Sequence, residues 1–417
     1  MKKIAVIGAG VTGLTTAYEL LNRGLDVSVF DRNRYAAMET SFANGGQLSA
    51  SNAEVWTQWG TVLKGLRWML QPDAPLLVNP APTFHKIRWM MEFLSNIPNY
   101  KENTVQTVRM AIAARAVLFE MAEREGIDFD LEQRGILHFY RGQKDFAHAR
   151  KVNALLAEGG LMRREVAPNE IPEIEPALTD NFVGGFFTPS DSSGDIHKFT
   201  TGLGRACERR GANLHLGTKV QSLHAEGGKV RLETNDAEHV FDGIVVSAGI
   251  KSRAFARQLG DRVNVYPVKG YSITVALDDA ESQAAAPWVS LLDDRAKIVA
   301  SRLGQDRFRI AGTAEFTGAN RDIRADRIRP LTEWCEEYFP GVSTENVVPW
   351  AGLRPMMPSM LPRVGPGRKP GVYYNTGHGH LGWTLSAATA QMIAGVVAKD
   401  MKSVPVPASR HIAAIAA

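Results

Sequence analysis

The hydrophobic residues at the start of the chain form a short strand–helix–strand pattern. Ile4 to Ile7 are a continuous apolar run, short enough for a buried strand of a parallel sheet. Apolar residues then recur at helical spacing from Val11 to Leu21, and a second apolar run ends at Asp31. This pattern predicts a strand, a helix and a second strand that an acidic residue closes.

The rest of the chain changes between helical and alternating periodicity. Amphipathic stretches predict helices at 104–125, 143–158 and 197–210, and short alternating runs between 219 and 241 predict a small antiparallel meander. A buried strand from 243 repeats the opening pattern. Further strand-like runs at 263–276, 297–301 and 307–311 predict a second, largely antiparallel sheet. The fold class that follows is mixed α/β (α+β).

The turn between the first strand and its helix carries three glycines. Gly8 allows a tight turn, Gly10 lets a pyrophosphate approach the helix N-terminus, and Gly13 lets helix and strand pack closely. Asp31 is placed to accept the hydroxyls of a ribose, and its charge would repel a 2′-phosphate. The alternative is a glycine-rich turn without a ligand. The predicted nucleotide contacts are Ile7, Gly8, Ala9, Gly10, Val11, Thr12, Gly13, Asp31 and Arg32.

Glycine turns recur near Gly249 and at 377–382, so one larger dinucleotide held by separate pieces, FAD rather than NAD, is expected. The helix after Gly377, Gly379 and Gly382 could neutralise charge on a reduced flavin through its N-terminal N–H groups. The stretch SFANGGQ (41–47) could offer backbone and side-chain donors to the same cofactor. A plain strand-to-helix turn and a solvated loop are the respective alternatives.

Composition excludes several classes of protein. The 417 residues are 44% hydrophobic, enough for two fused domains, and the net charge of +4 is scattered rather than gathered in a block that would track nucleic acid. Cys207 and Cys335 give no disulfide framework and no metal spacing, as expected in a reducing cytoplasm. No signal peptide and no membrane-spanning segment is expected, because no apolar run approaches 18 residues.

Two side chains are candidates for substrate binding. Arg354 stands in the apolar, proline-containing stretch WAGLRPMMP, and its planar fork suits either a buried ion pair or a substrate carboxylate. Tyr271 lies on the predicted strand PVKGYSIT. It either packs in the core or places its hydroxyl beside the same carboxylate.

The chain also shows a family resemblance. In this order, GAGVTGLTTAYEL, SFANGGQ, PVKGYSIT, GLRPMMPSMLPRVG and TGHGHLGWTLSAATA resemble the small subunit of bacterial D-amino acid dehydrogenases. These enzymes are a branch of the superfamily of D-amino acid oxidase, glycine oxidase and sarcosine oxidase. The resemblance implies non-covalent FAD, and deamination of D-amino acids to 2-oxo acids and ammonia by hydride transfer from Cα to flavin N5. Relatives with a covalent flavin carry a cysteine after the arginine, where this chain has Met356 and Met357.

The resemblance also implies roles for individual residues. Arg354 would bind the carboxylate with Tyr271 nearby, and His380 would stand beside the flavin as a base or as a polar loop residue. The remaining implied cofactor contacts are Ser41, Asn44, Gly45, Gly46, Gln47, Val220, Gly249, Gly377, Gly379, His380, Leu381 and Gly382. No metal is implied. A Rossmann-like FAD-binding domain is expected from 1–55, 180–255 and 345–417, and a substrate-binding domain from 56–179 and 256–344.

Alternatives to this function stay open. The expected electron acceptor is a respiratory, quinone-type molecule, whereas an oxidase of the same superfamily would use oxygen. LSASNAEVWTQWG (48–60) departs from close relatives, so a secondary amine such as D-proline or hydroxyproline is an alternative substrate. A nucleotide-binding membrane scaffold is the non-enzymatic alternative. The oligomeric state is not predicted.

Residues 55–94 combine tryptophans with basic residues and an apolar helical stripe. Trp56, Trp59, Trp68 and Trp89 mix with Lys64, Arg67, Lys86 and Arg88, and the stripe is Leu63, Leu66, Met69 and Leu70. This composition suits peripheral contact with the inner face of the cell membrane by a cytoplasmic protein. A lid that packs over the flavin is the alternative.

Overall fold

The structure is a computed structural model that describes residues 1–68 and 75–402. Within them it has twenty strands: β1 (Lys3–Ile7), β2 (Asp26–Asp31), β3 (Gln47–Leu48), β4 (Leu76–Val78), β5 (Ile136–Tyr140), β6 (Arg164–Val166), β7 (Gly184–Thr188), β8 (Ser192–Ser193), β9 (Asn213–Leu216), β10 (Val220–Glu226), β11 (Lys229–Thr234), β12 (Glu238–Phe241), β13 (Gly243–Val246), β14 (Tyr266–Ala276), β15 (Ser290–Asp293), β16 (Ile298–Leu303), β17 (Arg307–Phe316), β18 (Val347–Met356), β19 (Arg363–Pro366) and β20 (Val372–Thr376).

The same residues form eleven α-helices: α1 (Val11–Asn22), α2 (Trp59–Trp68), α3 (Phe84–Ser95), α4 (Tyr100–Glu125), α5 (Gln143–Glu158), α6 (Ile171–Ile174), α7 (Ile196–Arg209), α8 (Ser252–Gln258), α9 (Ala280–Ala285), α10 (Ala325–Tyr338) and α11 (Gly382–Asp400). The predicted opening pattern of strand, helix and strand is confirmed as β1, α1 and β2.

A six-stranded sheet has the order β19-β20-β13-β1-β2-β9. We call it the nucleotide sheet. The strands from β20 to β9 run parallel, and β19 is antiparallel to β20. Ile4 and Val6 face a core formed with α1, α7 and α11, whereas Ala5 and Ile7 face the meander β10–β12. Because both faces are covered, these strands read as continuous apolar runs in the sequence.

A second sheet has the order β18-β14-β17-β16-β15-β5-β7-β6, with β4 added beside β17. We call it the large sheet. Its pairs are antiparallel except for β15 with β5 and β17 with β4. The predicted second, largely antiparallel sheet is therefore confirmed.

The sheets divide the chain differently from the predicted domain boundaries at two points. β7 and β18 both belong to the large sheet, although the predicted boundaries at 180 and 345 assign them to the nucleotide-binding domain. β18 pairs with β14 over ten consecutive residues, and the chain returns to the nucleotide sheet only at β19. The domain boundaries stay a prediction, and the strand order favours grouping β7 and β18 with the large sheet, because pairing partners cannot be read from composition.

Helix α11 is the most apolar long helix of the described residues. Gly379–Asp400 is long and apolar enough to cross a membrane by length and composition alone. However, 72% of its apolar window is buried in the fold. Its core positions pack with those of α1 and α4, so the apolar composition is that of a core helix.

Candidate active site

The glycine turn joins β1 to α1 in the geometry that a pyrophosphate requires. A Cβ atom on Gly13 would lie 1.8 Å from the Gly8 carbonyl oxygen, so only glycine lets α1 approach the turn this closely. Gly8 has a φ of 112°, which side chains rarely adopt. Gly10 is the N-cap residue of α1. Because it is a glycine, it has no side chain that could cap the N–H groups of the first turn. The helix N-terminus is thus compact, and a side chain engages its Val11 N–H, which donates to Ser41, while the turn itself leaves space for an anion.

Asp31 and Arg32 differ in what they contact. The Asp31 carboxylate accepts hydrogen bonds from the Ala9 and Asn33 N–H groups, each at 2.8 Å, which ties the end of β2 to the glycine turn. Burial raises the pKa of Asp31 despite these two bonds. Arg32 instead pairs with Glu39 at 2.5 Å, and Arg321 of the large sheet's outer loop contacts the other Glu39 oxygen. Glu39, shared by Arg32 and Arg321, therefore links the end of β2 to the loop that follows β17.

The separate glycine turns meet at one edge of the nucleotide sheet. The carboxyl ends of β1, β2, β13 and β20 lie side by side because these strands are parallel. Gly249 follows β13 and Gly377 follows β20, both with positive φ. Leu381 is buried next to Gly382, the first residue of α11, whose first turn has no side-chain cap. Val220 begins β10 and is buried. Dinucleotides bind at this edge in open α/β sheets.

The block 41–47 lies between the two sheets, and the large sheet holds its carbonyl groups. Ser272 donates to the Ala43 carbonyl at 2.8 Å, Arg309 to the Asn44 carbonyl at 3.0 Å, and Ser301 to the Gly45 carbonyl at 2.9 Å. Three consecutive carbonyl groups are thereby occupied on the side of the large sheet. This leaves the opposite side of the block for a cofactor.

The side chains of the block form hydrogen bonds both within the block and to other segments. Ser41 accepts from the Val11 N–H at 3.0 Å, and Asn44 accepts from the Gly46 N–H at 3.0 Å. Gln47 donates to Ser290 at 2.9 Å and to the Leu291 carbonyl at 3.0 Å. Gln47 thus anchors the block to the large sheet. The sequence contained no signal for Ser272, Ser301 or Arg309, because their role depends on contacts between distant segments.

Gly45 is required by packing against β16. A Cβ atom at this position would lie 2.4 Å from Cγ2 of Val299. Gly45→Ala should therefore lower the free energy of unfolding by about 1–3 kcal/mol, the usual cost of overpacking. Adding Val299→Ala removes the clashing methyl group, so the double variant should be more stable than the sum of the two single effects by about 1 kcal/mol or more.

Thermal or urea unfolding of the four proteins measures this coupling. Gly395→Ala is the control, since no atom lies within 4 Å of the position its Cβ would take. Additive effects of the two substitutions would show that the block does not rest on Val299.

Arg354 lies on β18 with its guanidinium over Gly270 of β14. A Cβ on Gly270 would be 2.3 Å from Nη1 of Arg354, so the glycine provides the space in which the guanidinium lies. Nη1 donates to the Thr313 carbonyl at 2.8 Å. Burial lowers the pKa of Arg354 to about 10, which leaves it charged at neutral pH. No carboxylate within 1–68 and 75–402 forms an ion pair with it.

The structure does not bring Tyr271 to Arg354, and its expected place beside the carboxylate is wrong. Residues 268, 270 and 272 pair with 354, 352 and 350, so Tyr271 points to the opposite face of the sheet. Its hydroxyl donates to Glu315 at 3.2 Å in a buried core. Burial raises the pKa of Tyr271 well above its usual value. Within KGY, Gly270 is the residue that lies against the Arg354 guanidinium, and a glycine inside a strand was the signal that could have identified it.

His380 lies close to Arg354 and in an apolar setting. Its ring stacks on Trp56 at 4.8 Å between centroids, and Nε2 lies 3.4 Å from the Asn52 carbonyl. Burial, assisted by the charge of Arg354, lowers the pKa of His380 to about 4. A neutral imidazole of such low basicity is a weak base at neutral pH. We therefore interpret His380 as part of the wall of the site.

The tryptophans of 55–94 separate into two groups. Trp56 lies on His380, and Trp89 is buried and donates to the Met356 carbonyl at 2.9 Å. Trp59 and Leu63 are exposed. Lys86 is buried, so it is not available to a lipid surface. The side chains of Leu66, Arg67 and Trp68, and all of Met69 and Leu70, lie outside the described residues.

Comparisons with known proteins identify relatives along the whole chain. The family model described as FAD dependent oxidoreductase matches residues 3–396. The chain is 63% identical over 404 residues to D-amino acid dehydrogenase 3 of Mesorhizobium japonicum, covering 96% of this chain and 98% of that protein. It is 40% identical over 407 residues to D-amino acid dehydrogenase of Paramagnetospirillum magneticum, covering 95% and 94%.

Solved structures with the same architecture are more distant in sequence. Glycine oxidase from Geobacillus kaustophilus superposes with a TM-score of 0.76 at 20% identity, covering 96% of this chain and 95% of that chain. L-proline dehydrogenase from P. horikoshii gives a TM-score of 0.73 at 16% identity, covering 97% and 95%. These structures show that the predicted mixed α/β fold is correct.

Proposed function

The chain belongs to the family of FAD dependent oxidoreductases, and on that premise we propose that it deaminates D-amino acids oxidatively, giving 2-oxo acids and ammonia. The observation that carries the proposal is Arg354, a partly buried cation that forms no ion pair with a carboxylate of the described chain. A guanidinium in this setting suits the carboxylate of a substrate. The relatives at 63% and 40% identity are D-amino acid dehydrogenases, which supports the D-configuration.

The described residues fit FAD as the cofactor of this enzyme. The glycine turn and the N-terminus of α1 would hold the pyrophosphate, and Asp31 the ribose. The N–H groups of residues 43–45 and the turn 377–382 would face the flavin, because the carbonyl groups of the block already bond to the large sheet and the Gly46 N–H donates to Asn44. When bound, FAD supplies the acceptor for the hydride that leaves the substrate α-carbon.

Arg354 would fix the substrate carboxylate through the N–H groups that Thr313 does not use. This contribution is mainly one of position. The low pKa of His380 keeps a second positive charge away from the substrate amine. We assign no general base, since an amine that enters neutral does not need one.

The flavin should be released by acid. Cys207 and Cys335 are both buried, and burial raises the pKa of each thiol to about 12, so neither is placed or activated to form a bond with the cofactor. Trichloroacetic acid should therefore leave colourless protein and yellow supernatant. A flavin that precipitates with the protein would contradict non-covalent binding.

Anaerobic reduction of the flavin by pairs of D- and L-amino acids tests the proposed function. D-alanine and other D-amino acids should bleach the visible absorbance of the oxidised flavin. One 2-oxo acid and one ammonia should form per flavin reduced. D-proline and D-hydroxyproline belong in the panel, because faster reduction by them would assign a secondary amine. A protein that is colourless after FAD addition would support the scaffold alternative.

The electron acceptor is proposed to be a quinone. The reduced protein should be reoxidised quickly by a soluble quinone and slowly by air-saturated buffer. The opposite order would assign an oxidase.

One face of α3 supports contact with the membrane in which quinones reside. Phe84, Ile87, Met91 and Leu94 recur at helical spacing and are between 41% and 77% exposed. We call these four residues the apolar face. Such a stripe is normally buried in a folded protein, so its exposure indicates a binding surface. Nearby cations are partly neutralised, because Arg88 lies 3.5 Å from Glu92.

Vesicle binding should depend on the apolar face more than on charge. The Phe84→Glu/Met91→Glu variant should remain in the supernatant when the parent protein sediments with vesicles containing anionic lipid. Met162→Glu is the control, since Met162 is also exposed but lies outside this face. A parent protein that stays in the supernatant at low salt would contradict peripheral membrane binding.

A further inference from the structure

A β-bulge in β17 lies directly opposite Gly270. Tyr271 pairs with Gly312 and Lys269 with Glu315, so Thr313 and Ala314 together face the single residue Gly270. Thr313 has a φ of 60°, in the left-handed region that β-branched residues rarely adopt. Strained backbone of this kind persists where the surrounding structure imposes it, and it is frequent at functional sites.

The bulge supplies the contact that orients Arg354. The Thr313 carbonyl accepts from Nη1 of Arg354 at 2.8 Å, while Gly270 leaves room for the guanidinium. In a regular β-ladder, only one residue of β17 would lie opposite Gly270. The bulge and Gly270 therefore form a cradle, with one N–H of the fork engaged and the others left for a ligand.

A buried ion cluster holds the bulge from the other face of the sheet. Nζ of Lys269 lies 3.1 Å from Oε2 of Glu315, and Nε of Arg327 lies 3.0 Å from Oε1. All three side chains are almost completely buried. Lys269 and Glu315 are the first cross-strand pair beyond the bulge. A slip in register would separate buried charges, which is costly, so the cluster fixes where the extra residue lies.

We propose that the Thr313 bulge and the Lys269–Glu315 pair behind it are a positioning device for Arg354. They set the direction in which its free N–H groups meet a carboxylate, although Lys269 and Glu315 never contact substrate. The proposal rests on the proposed role of Arg354. It predicts that changes on the far face of the sheet weaken carboxylate binding although they leave FAD content unchanged.

Three variants test this with benzoate as the probe, titrated against the flavin spectrum of the holoenzyme. Deletion of Thr313 makes the ladder regular and keeps Lys269 opposite Glu315; it should raise the benzoate Kd by about tenfold or more, the value of one charge-assisted hydrogen bond. Thr313→Gly keeps the bulge and accepts positive φ, so its Kd should stay within about twofold. Lys269→Met leaves Glu315 with Arg327 as partner and should raise the Kd by about fivefold.

Steady-state kinetics of Lys269→Met should show a raised KM and a smaller fall in kcat at unchanged FAD content, which a general loss of stability would not produce. A wild-type Kd in the deletion variant overturns the proposal. If that variant does not bind FAD, Lys269→Met decides, and a wild-type Kd and KM there overturn it equally. If benzoate does not perturb the flavin of the parent protein, the role of Arg354 itself fails, and the positioning device with it.

Discussion

Arg354→Lys is expected to lower kcat/KM for a D-amino acid by about a hundredfold, because two charge-assisted hydrogen bonds of the guanidinium fork are lost or misdirected. Lysine keeps the positive charge, so the loss reports geometry rather than net charge. The Thr313 carbonyl would also lose its partner at the ideal distance. FAD content should stay unchanged, since the cofactor contacts lie on other segments. Steady-state kinetics with D-alanine, together with the ratio of flavin to protein absorbance, measures both quantities.

Arg150→Lys is the matched control. Arg150 lies on α5 and pairs with Glu165 at 2.6 Å, away from the carboxyl edge of the nucleotide sheet. Its replacement should change kcat/KM by less than about threefold, as is usual for substitutions away from a functional site. A near-normal kcat/KM in Arg354→Lys would remove Arg354 from the substrate site.

Gly13→Ala and Gly10→Ala should separate folding from cofactor binding. A methyl group on Gly13 would lie 1.8 Å from the Gly8 carbonyl, so α1 must move away from β1, at a cost of about 3 kcal/mol in the free energy of unfolding. At Gly10 the nearest atom would be Oγ of Ser41 at 3.4 Å, an ordinary contact. Gly10→Ala should therefore fold normally.

The same Gly10→Ala variant should bind FAD at least about tenfold more weakly, since a methyl group stands where the pyrophosphate approaches the backbone. The apoproteins are compared by thermal unfolding, and FAD affinity is measured by quenching of flavin fluorescence. Equal FAD affinity in Gly10→Ala and the parent protein would place the pyrophosphate elsewhere.

Local patterns predicted the nucleotide half of the molecule well. The need for Gly13 comes from the nearby Gly8 carbonyl, so sequence spacing carries that information, whereas a Cβ on Gly8 would meet the carbonyl oxygen of the distant Ser247. Convergence of the other glycine turns followed from parallel strands, whose carboxyl ends share one edge. The ion pair of Arg32 with Glu39 could not be predicted, because Glu39 also pairs with Arg321 in the distant loop that follows β17.

The largely antiparallel character of the large sheet was predicted, but the pairing of its strands was not. Tyr271 was assigned to the wrong face because strand alternation shows which residues share a face and not which face meets the site. The block 41–47 was predicted to offer backbone approach and side-chain donors to the cofactor. Gly45 also makes room for Val299, a contact between residues that are far apart in sequence that the pattern did not predict. In the bulge of β17 the positive φ falls on Thr313 and not on the adjacent Gly312, so the sequence did not mark the residue that adopts it.

The most direct test of the account compares three compounds as reductants of the enzyme flavin in the absence of oxygen: D-alanine, L-alanine and ethylamine. D-alanine has both the carboxylate that Arg354 would bind and the proposed configuration, L-alanine has only the carboxylate, and ethylamine lacks it. The account predicts rapid reduction by D-alanine alone. Reduction by ethylamine or L-alanine at the rate of D-alanine would contradict the claim that Arg354 binds the carboxylate and thereby orients a D-amino acid.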